Sequence, residues 1–152
     1  MIDIKAVIMA GGKGTRLRPL TCDIPKPMVP ILNKPVMEYS IDLLKKHGIN
    51  DIAVTMAYMP SIIMDYFETG DRWNVNLEYF IEDTPLRTGG SVKNAQQFLD
   101  DTFIVISGDA LTDLDISKAI DYHRQKKSKA TIILRREDVP LEYGVVITDE
   151  SG

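Results

Sequence analysis

The sequence predicts an α/β protein with a mostly parallel sheet and helices on both faces. Two observations lead there. Short apolar, β-branched runs alternate with stretches whose apolar residues recur at helical spacing, in the order β, α, β, α, β, α, β, α, β. Joining successive strands through helices calls for parallel pairing, because a crossover returns the chain to the same end of the sheet. The chain has 152 residues, 44% of them hydrophobic, which suits one domain with a real core.

The first strand is predicted over 2–9, an apolar run stopped by Gly11 and Gly12. A helix follows over 35–47, with Val36, Met37, Ile41 and Leu44 as its inner stripe. Lys45, Lys46 and His47 before Gly48 give it a cationic last turn and a left-handed stop. A strand at 51–57 and a helix at 61–68 come next, the helix placing Ile62, Ile63, Tyr66 and Phe67 on one face. Val75, Leu77, Tyr79 and Ile81 alternate with Asn76 and Glu78, the two-residue period of a strand. Val92, Ala95 and Leu99 mark a helix over 89–99. The uninterrupted apolar run 103–106 predicts a central strand covered on both faces. Ile116, Ala119, Ile120 and His123 mark a further helix, and 130–134 a further strand. Finally 143–148 reads as a strand and 149–152 as a hairpin turn, so 1–152 is expected to be the N-terminal part of a domain cut within a hairpin.

Charge and cysteine content exclude several classes. A net charge of −4 is expected of a protein that does not bind nucleic acid, since displacing counterions from phosphates needs a basic excess. No apolar run approaches the roughly 20 residues of a membrane span. The start Met1-Ile2-Asp3-Ile4-Lys5 has no secretory pattern. The single cysteine, Cys22, rules out an internal disulfide or a cysteine-rich zinc site. A cytoplasmic location away from membranes is the expectation.

Three segments carry chemistry. After the first strand comes Ala10-Gly11-Gly12-Lys13-Gly14-Thr15-Arg16-Leu17-Arg18-Pro19, glycine-rich and cationic, at the strand end where open α/β sheets bind ligands. Its backbone N–H groups suit an anion and its arginines suit phosphate. The P-loop pattern fails because Gly14 follows Lys13, and the dinucleotide fingerprint fails at Leu17. By itself the loop reads equally as a phosphate cradle or as a tight turn bearing surface cations. In Pro25-Lys26-Pro27-Met28-Val29-Pro30 the prolines forbid helix and predict an extended, stiff backbone around Lys26, which lowers the entropy lost when its ammonium meets a phosphate. A plain proline-rich connection is the bland alternative. Ser107-Gly108-Asp109-Ala110 then presents a carboxylate at the same sheet edge, suited either to Mg²⁺ shared with substrate phosphates or to capping a turn. Asp113 and Asp115 read as caps for the helix near Ile116. His47, His123 and Trp73 read as structural.

Together these stretches, with Glu142-Tyr143-Gly144-Val145, resemble the sugar-1-phosphate nucleotidyltransferases over essentially the whole chain. Within that family the sequence looks most like mannose-1-phosphate guanylyltransferases. The resemblance implies a Rossmann-like fold, Mg²⁺, a nucleoside triphosphate (GTP favoured) and a sugar 1-phosphate (mannose 1-phosphate favoured). It assigns the nucleotide to Ala10, Gly11, Gly12, Gly14 and Thr15, with Glu82 at the base. Arg16 would hold the leaving pyrophosphate, Lys26 the reacting phosphates, Asp109 the metal and Gly144 the sugar. The rival readings are a thymidylyl- or uridylyltransferase using glucose 1-phosphate and a nucleotide-binding subunit without turnover. Family members usually carry glycine where Arg87 stands, and a bulky cation there is expected to weaken nucleotide binding. The family's later Glu-Lys-Pro segment and second metal-binding aspartate are absent, so the isolated chain is expected to be impaired and to self-associate as a homo-oligomer.

Overall fold

Ala6, Val7 and Ile8 are consecutive, apolar and fully buried, the condition of a strand inside a parallel sheet. The computed structural model, which describes residues 4–136, 138 and 144–148, places them in β1 (Lys5–Met9). There follow β2 (Pro30–Ile31), β3 (Lys34–Pro35), α1 (Val36–Lys46), β4 (Asp51–Met56), α2 (Pro60–Phe67), β5 (Asn76–Ile81), α3 (Arg87–Asn94), β6 (Phe103–Ser107) and α4 (Ile116–Lys126). The chain divides into two compact units, Met1–Ile116 and Ser117–Gly152. The first holds a four-stranded sheet in the order β5-β4-β1-β6, every pair parallel.

Alternation along the strands sorts the core into two layers. Val7, Ala53 and Phe80 point to one face, where they meet Ala95 and Phe98. Ala6, Ile8, Ile52 and Val54 point to the other and are equally buried. Helices α1 and α2 bury Met37, Ile41, Leu44, Ile63 and Phe67, each contributing about 1.5–3 kcal/mol through loss of apolar surface to solvent. The end of α1 is a Schellman turn: Ile49 N donates to Leu44 O (3.0 Å), Gly48 N to Lys45 O (2.9 Å), and Gly48 has φ 76°. Trp73 is a loop anchor, its ring 4.9 Å from Phe67 and 5.8 Å from Tyr66.

Several expectations need correction. The run 103–106 is not central: β6 is an edge strand among the described residues, with Phe103 37% and Val105 40% exposed. Apolar composition reports what a strand could bury, not which neighbours it has. The helix expected over 89–99 starts earlier and ends at Asn94, after which bonds such as Ala95 N to Val92 O and Leu99 N to Gln96 O continue it as tighter turns. Of the face proposed for α2, Ile63 and Phe67 are buried while Ile62 and Tyr66 are partly exposed. Ile81, expected inward, is exposed, because β5 lies at the other edge. In the second unit residues 130–134 form no strand, and Ile132, Ile133 and Leu134 are exposed. A β-branched run becomes a strand only where a neighbour takes its backbone hydrogen bonds. Residues 144–148 likewise form no strand, while Tyr143 and the turn at 149–152 lie outside the described residues.

Candidate functional site

The carboxyl ends of β1, β4, β5 and β6 gather the conspicuous segments of the first unit. Leaving β1, Ala10 N donates to Thr55 O at 2.8 Å, which ties the start of the glycine loop to β4. Gly14 then turns the chain with φ 62° into a short 3₁₀ turn, Thr15–Leu17. Its carbonyl accepts from Leu17 N (2.9 Å) and from the hydroxyl of buried Thr21 (2.7 Å).

The three glycines are not equivalent. A Cβ on Gly14 would stand 2.9 Å from Lys26 Cβ and 3.0 Å from Thr21 Cγ2, so the turn and its packing demand glycine there. Gly11 would make only ordinary contacts, with Ala57 N at 3.5 Å and Glu82 Oε1 at 4.0 Å, and Gly12 would meet nothing within 4 Å. The protein's own packing leaves these two positions open. The glycines thus differ in what they do: Gly14 makes the turn, and Gly11 and Gly12 leave bare backbone.

Lys26 opens a second 3₁₀ turn, Lys26–Met28, with Pro25 as its N-cap and Pro27 buried behind it. Met28 N donates to Pro25 O (2.8 Å) and Val29 N to Lys26 O (3.1 Å). The expectation of a fully extended segment gives way here, since proline at the first turn favours helical geometry as readily. The result is still a fixed root for Lys26, whose ammonium lies 2.5 Å from Asp109 Oδ2.

Asp109 follows β6 through Gly108, whose N–H donates to Met9 O (2.9 Å). A Cβ on Gly108 would lie 2.9 Å from Ile8 Cγ2, so glycine lets the two strand ends close up. Desolvation pushes the Asp109 carboxyl upward, but hydrogen bonds from Lys26 and Ser107 more than offset it and leave it below its ordinary value. Ser107 Oγ donates to Asp109 Oδ1. The role of Ser107 is not apparent from the sequence pattern above, where its one signal is a hydroxyl two residues before a strand-end aspartate.

Glu82 lies just past β5, its N–H bonded to Met56 O (2.7 Å). Its side chain is 5% exposed. Oε2 accepts from Leu86 N at 2.9 Å, while Oε1 is buried with no hydrogen-bond partner among the described residues. A buried acceptor left open is costly and awaits a donor.

The remaining candidates are arranged differently. Thr15 and Arg16 are exposed on the loop's 3₁₀ turn, and Lys13, Arg16 and Arg18 make no ion pair among the described residues. Gly144 belongs to the second unit and is exposed, and among the described residues nothing would lie within 4 Å of a Cβ there. Arg87, first residue of α3, has φ 62°, which explains physically why glycine would suit that position. His47 Nδ1 lies 3.9 Å from Asp115 Oδ1, which engages that aspartate with α1. In the second unit, His123 Nδ1 is 2.8 Å from Thr131 Oγ1.

The donor set speaks to the metal. Among the described residues no group of three or more His, Cys, Asp or Glu side chains gathers into a protein-only cage. At this sheet edge Asp109 offers hard oxygens beside the Lys26 ammonium, a donor set that fits Mg²⁺ shared with a polyphosphate. No helix among the described residues is long and apolar enough to cross a membrane.

Comparison with known proteins agrees with this geometry. The family described as nucleotidyl transferase matches residues 5–152. The chain is 44% identical to a UTP–glucose-1-phosphate uridylyltransferase of Synechocystis, covering 98% of this chain and 42% of that protein. It is 36% identical to a mannose-1-phosphate guanylyltransferase of Mycobacterium tuberculosis, over 97% and 41%. Among solved structures, HddC from Yersinia pseudotuberculosis in complex with GMP-PN superposes with a TM-score of 0.71 at 38% identity, over 79% of this chain and 54% of that one. The chain thus spans about two-fifths of the curated relatives' length. With a parallel sheet of Rossmann-like build and a family match over nearly its whole length, this chain belongs to the nucleotidyl transferase family.

Proposed function

We propose that this chain is the nucleotide-binding part of a sugar-1-phosphate nucleotidyltransferase that uses GTP and mannose 1-phosphate and releases pyrophosphate. The carrying observation is one cluster: Gly14 packs on the stem of Lys26, and Lys26 reaches Asp109. The open backbone at Gly11 and Gly12 supports a phosphate approaching N–H groups directly.

The chemistry requires no protein nucleophile. An oxygen of the sugar phosphate attacks the α-phosphorus in line; that P–O bond forms as the bond to the β-phosphate oxygen breaks, and pyrophosphate departs with the electron pair. The chain's task is to position and to stabilise charge. Lys26 holds its ammonium against the phosphates at the reacting centre, and Arg16 takes the leaving pyrophosphate. Mg²⁺, held through Asp109 and the phosphates, would supply neutralising charge.

The base choice rests on Glu82. Its open Oε1 suits guanine, which presents two adjacent N–H donors, while uracil presents one N–H between two carbonyls that repel a carboxylate. The relatives named mannose-1-phosphate guanylyltransferase and the structure with GMP-PN support the same choice. A second reading, UTP with glucose 1-phosphate, is favoured by the Synechocystis relative. A cytoplasmic enzyme is part of the proposal.

Calorimetry with GTP, UTP and dTTP in the presence of Mg²⁺ is expected to show GTP binding tightest. Absence of binding by all three would overturn the proposal. In the chain extended to the relatives' length, Lys26→Ala is expected to cost about 3–4 kcal/mol of transition-state stabilisation, the loss typical of one oxyanion donor. Near-normal pyrophosphate release by that variant would remove Lys26 from the reaction.

A further inference from the structure

Both oxygens of Asp109 are already engaged by the protein. Oδ1 accepts from Ser107 Oγ, and Oδ2 meets the Lys26 ammonium at 2.5 Å. Neither root of the pair has freedom to drift. Lys26 is fixed by its 3₁₀ turn and by the packing of its Cβ and Cγ against Gly14, and Asp109 by the closure of Gly108 onto β1. Only the ends can part, and both side chains keep limited solvent access, 30% for Lys26 and 27% for Asp109.

We propose that the Lys26–Asp109 pair makes the site selective for a metal-chelated nucleoside triphosphate over either component alone. The inference rests on the functional reading above and specifies the form of its substrate. Paired with each other, the two charges cancel. A divalent cation arriving alone takes Asp109 and leaves the Lys26 ammonium unpaired beside added positive charge. A triphosphate arriving alone takes Lys26 and leaves the Asp109 carboxylate unpaired beside added negative charge. Each single exchange replaces an attractive pair by a like-charge contact in a partly desolvated place.

The chelate avoids both costs at once. Its cation meets Asp109 and its phosphate oxygens meet Lys26, so one ion pair is exchanged for two complementary contacts. Ser107 has a separate part in the exchange. Its hydrogen bond is on the other carboxylate oxygen, so Asp109 keeps its orientation when Lys26 departs. Ser107 is therefore a positioning residue.

The test measures binding of each component to the chain and two variants, using Mn²⁺ alone by electron paramagnetic resonance, and GTP in EDTA and Mn·GTP by calorimetry, with UTP in parallel. Lys26→Met frees Asp109, and it is expected to tighten Mn²⁺ binding in the absence of nucleotide by about tenfold, within the usual range of site-to-site coupling. Asp109→Asn frees Lys26, and it is expected to tighten metal-free GTP by about the same factor. Both variants are expected to weaken Mn·GTP. A gain of affinity cannot come from misfolding, so a damaged variant does not imitate the result. If the unsubstituted chain binds Mn·GTP or Mn·UTP but Lys26→Met leaves Mn²⁺ affinity unchanged or lower, the selectivity role is overturned and the functional reading stands. An unchanged or lower affinity of Asp109→Asn for metal-free GTP overturns it equally. If the unsubstituted chain binds no metal–nucleotide complex, the functional reading falls and this inference with it.

Discussion

Gly14 and Lys26 are packed so closely that a methyl group on the glycine would stand 2.9 Å from the lysine's Cβ. The loop after β1 thereby sets the position of a cation twelve residues later in the chain, and through it the partner of Asp109. Gly14→Ala would force a side chain into a left-handed backbone and press it on Lys26. Its expected cost is about 1–3 kcal/mol of stability, together with weaker Mg·GTP binding. Thermal denaturation and calorimetry check the two effects; an unaltered melting temperature would count against the packing argument.

Glu82 offers one oxygen to Leu86 N and keeps the other buried and open. Glu82→Gln retains the shape, keeps its one oxygen on Leu86 N–H and turns the open position into an N–H donor, which suits a carbonyl of uracil and opposes the N–H groups of guanine. The expected outcome is loss of guanine preference by about tenfold or more, the scale of one charge-assisted hydrogen bond. Competition between GTP and UTP for the chain reads it directly.

Arg87 holds φ 62° at the head of α3. Arg87→Gly relieves that strain and is expected to raise stability by about 1 kcal/mol. It also removes bulk and charge close to the proposed base pocket, and tighter nucleotide binding is expected. Equal affinity in the variant would show that the arginine does not crowd the ligand.

Tyr79 sits on β5 with its hydroxyl donating to Glu68 O at 2.6 Å. Desolvation, and then the Glu68 carboxylate, push its pKa up to about 12. An unfolded tyrosine loses its proton near pH 10, so between about pH 10 and 12 the unfolded chain is deprotonated while the folded one keeps its proton. Its contribution is therefore complete below about pH 10 and declines as the pH climbs through 12. Allowing for solvent screening, the decline is on the order of 1 kcal/mol. Urea titrations across this range should show a shallower alkaline loss for Tyr79→Phe.

β6 pairs only with β1 among the described residues, and Phe103 and Val105 on it are exposed. A strand edge with apolar side chains invites pairing. The chain is expected to self-associate as its concentration rises, and light scattering that stays monomeric throughout would contradict this.

How much of the protein its sequence determined differs by element. The buried run of β1, the inner stripe of α1 and the Gly48 stop were readable because each depends on local spacing or local backbone freedom. Likewise, glycine, proline and aspartate in the three marked segments announced a candidate phosphate and metal site, since their special chemistry is visible one residue at a time. Sheet order was not readable, and so 103–106 was expected at the centre and 130–134 in a strand. Nor could spacing reveal that Gly14 touches Lys26 or that Lys26 neutralises Asp109. Those facts join residues far apart in the chain, and only the closing of parallel strands at one edge brings them within bonding distance.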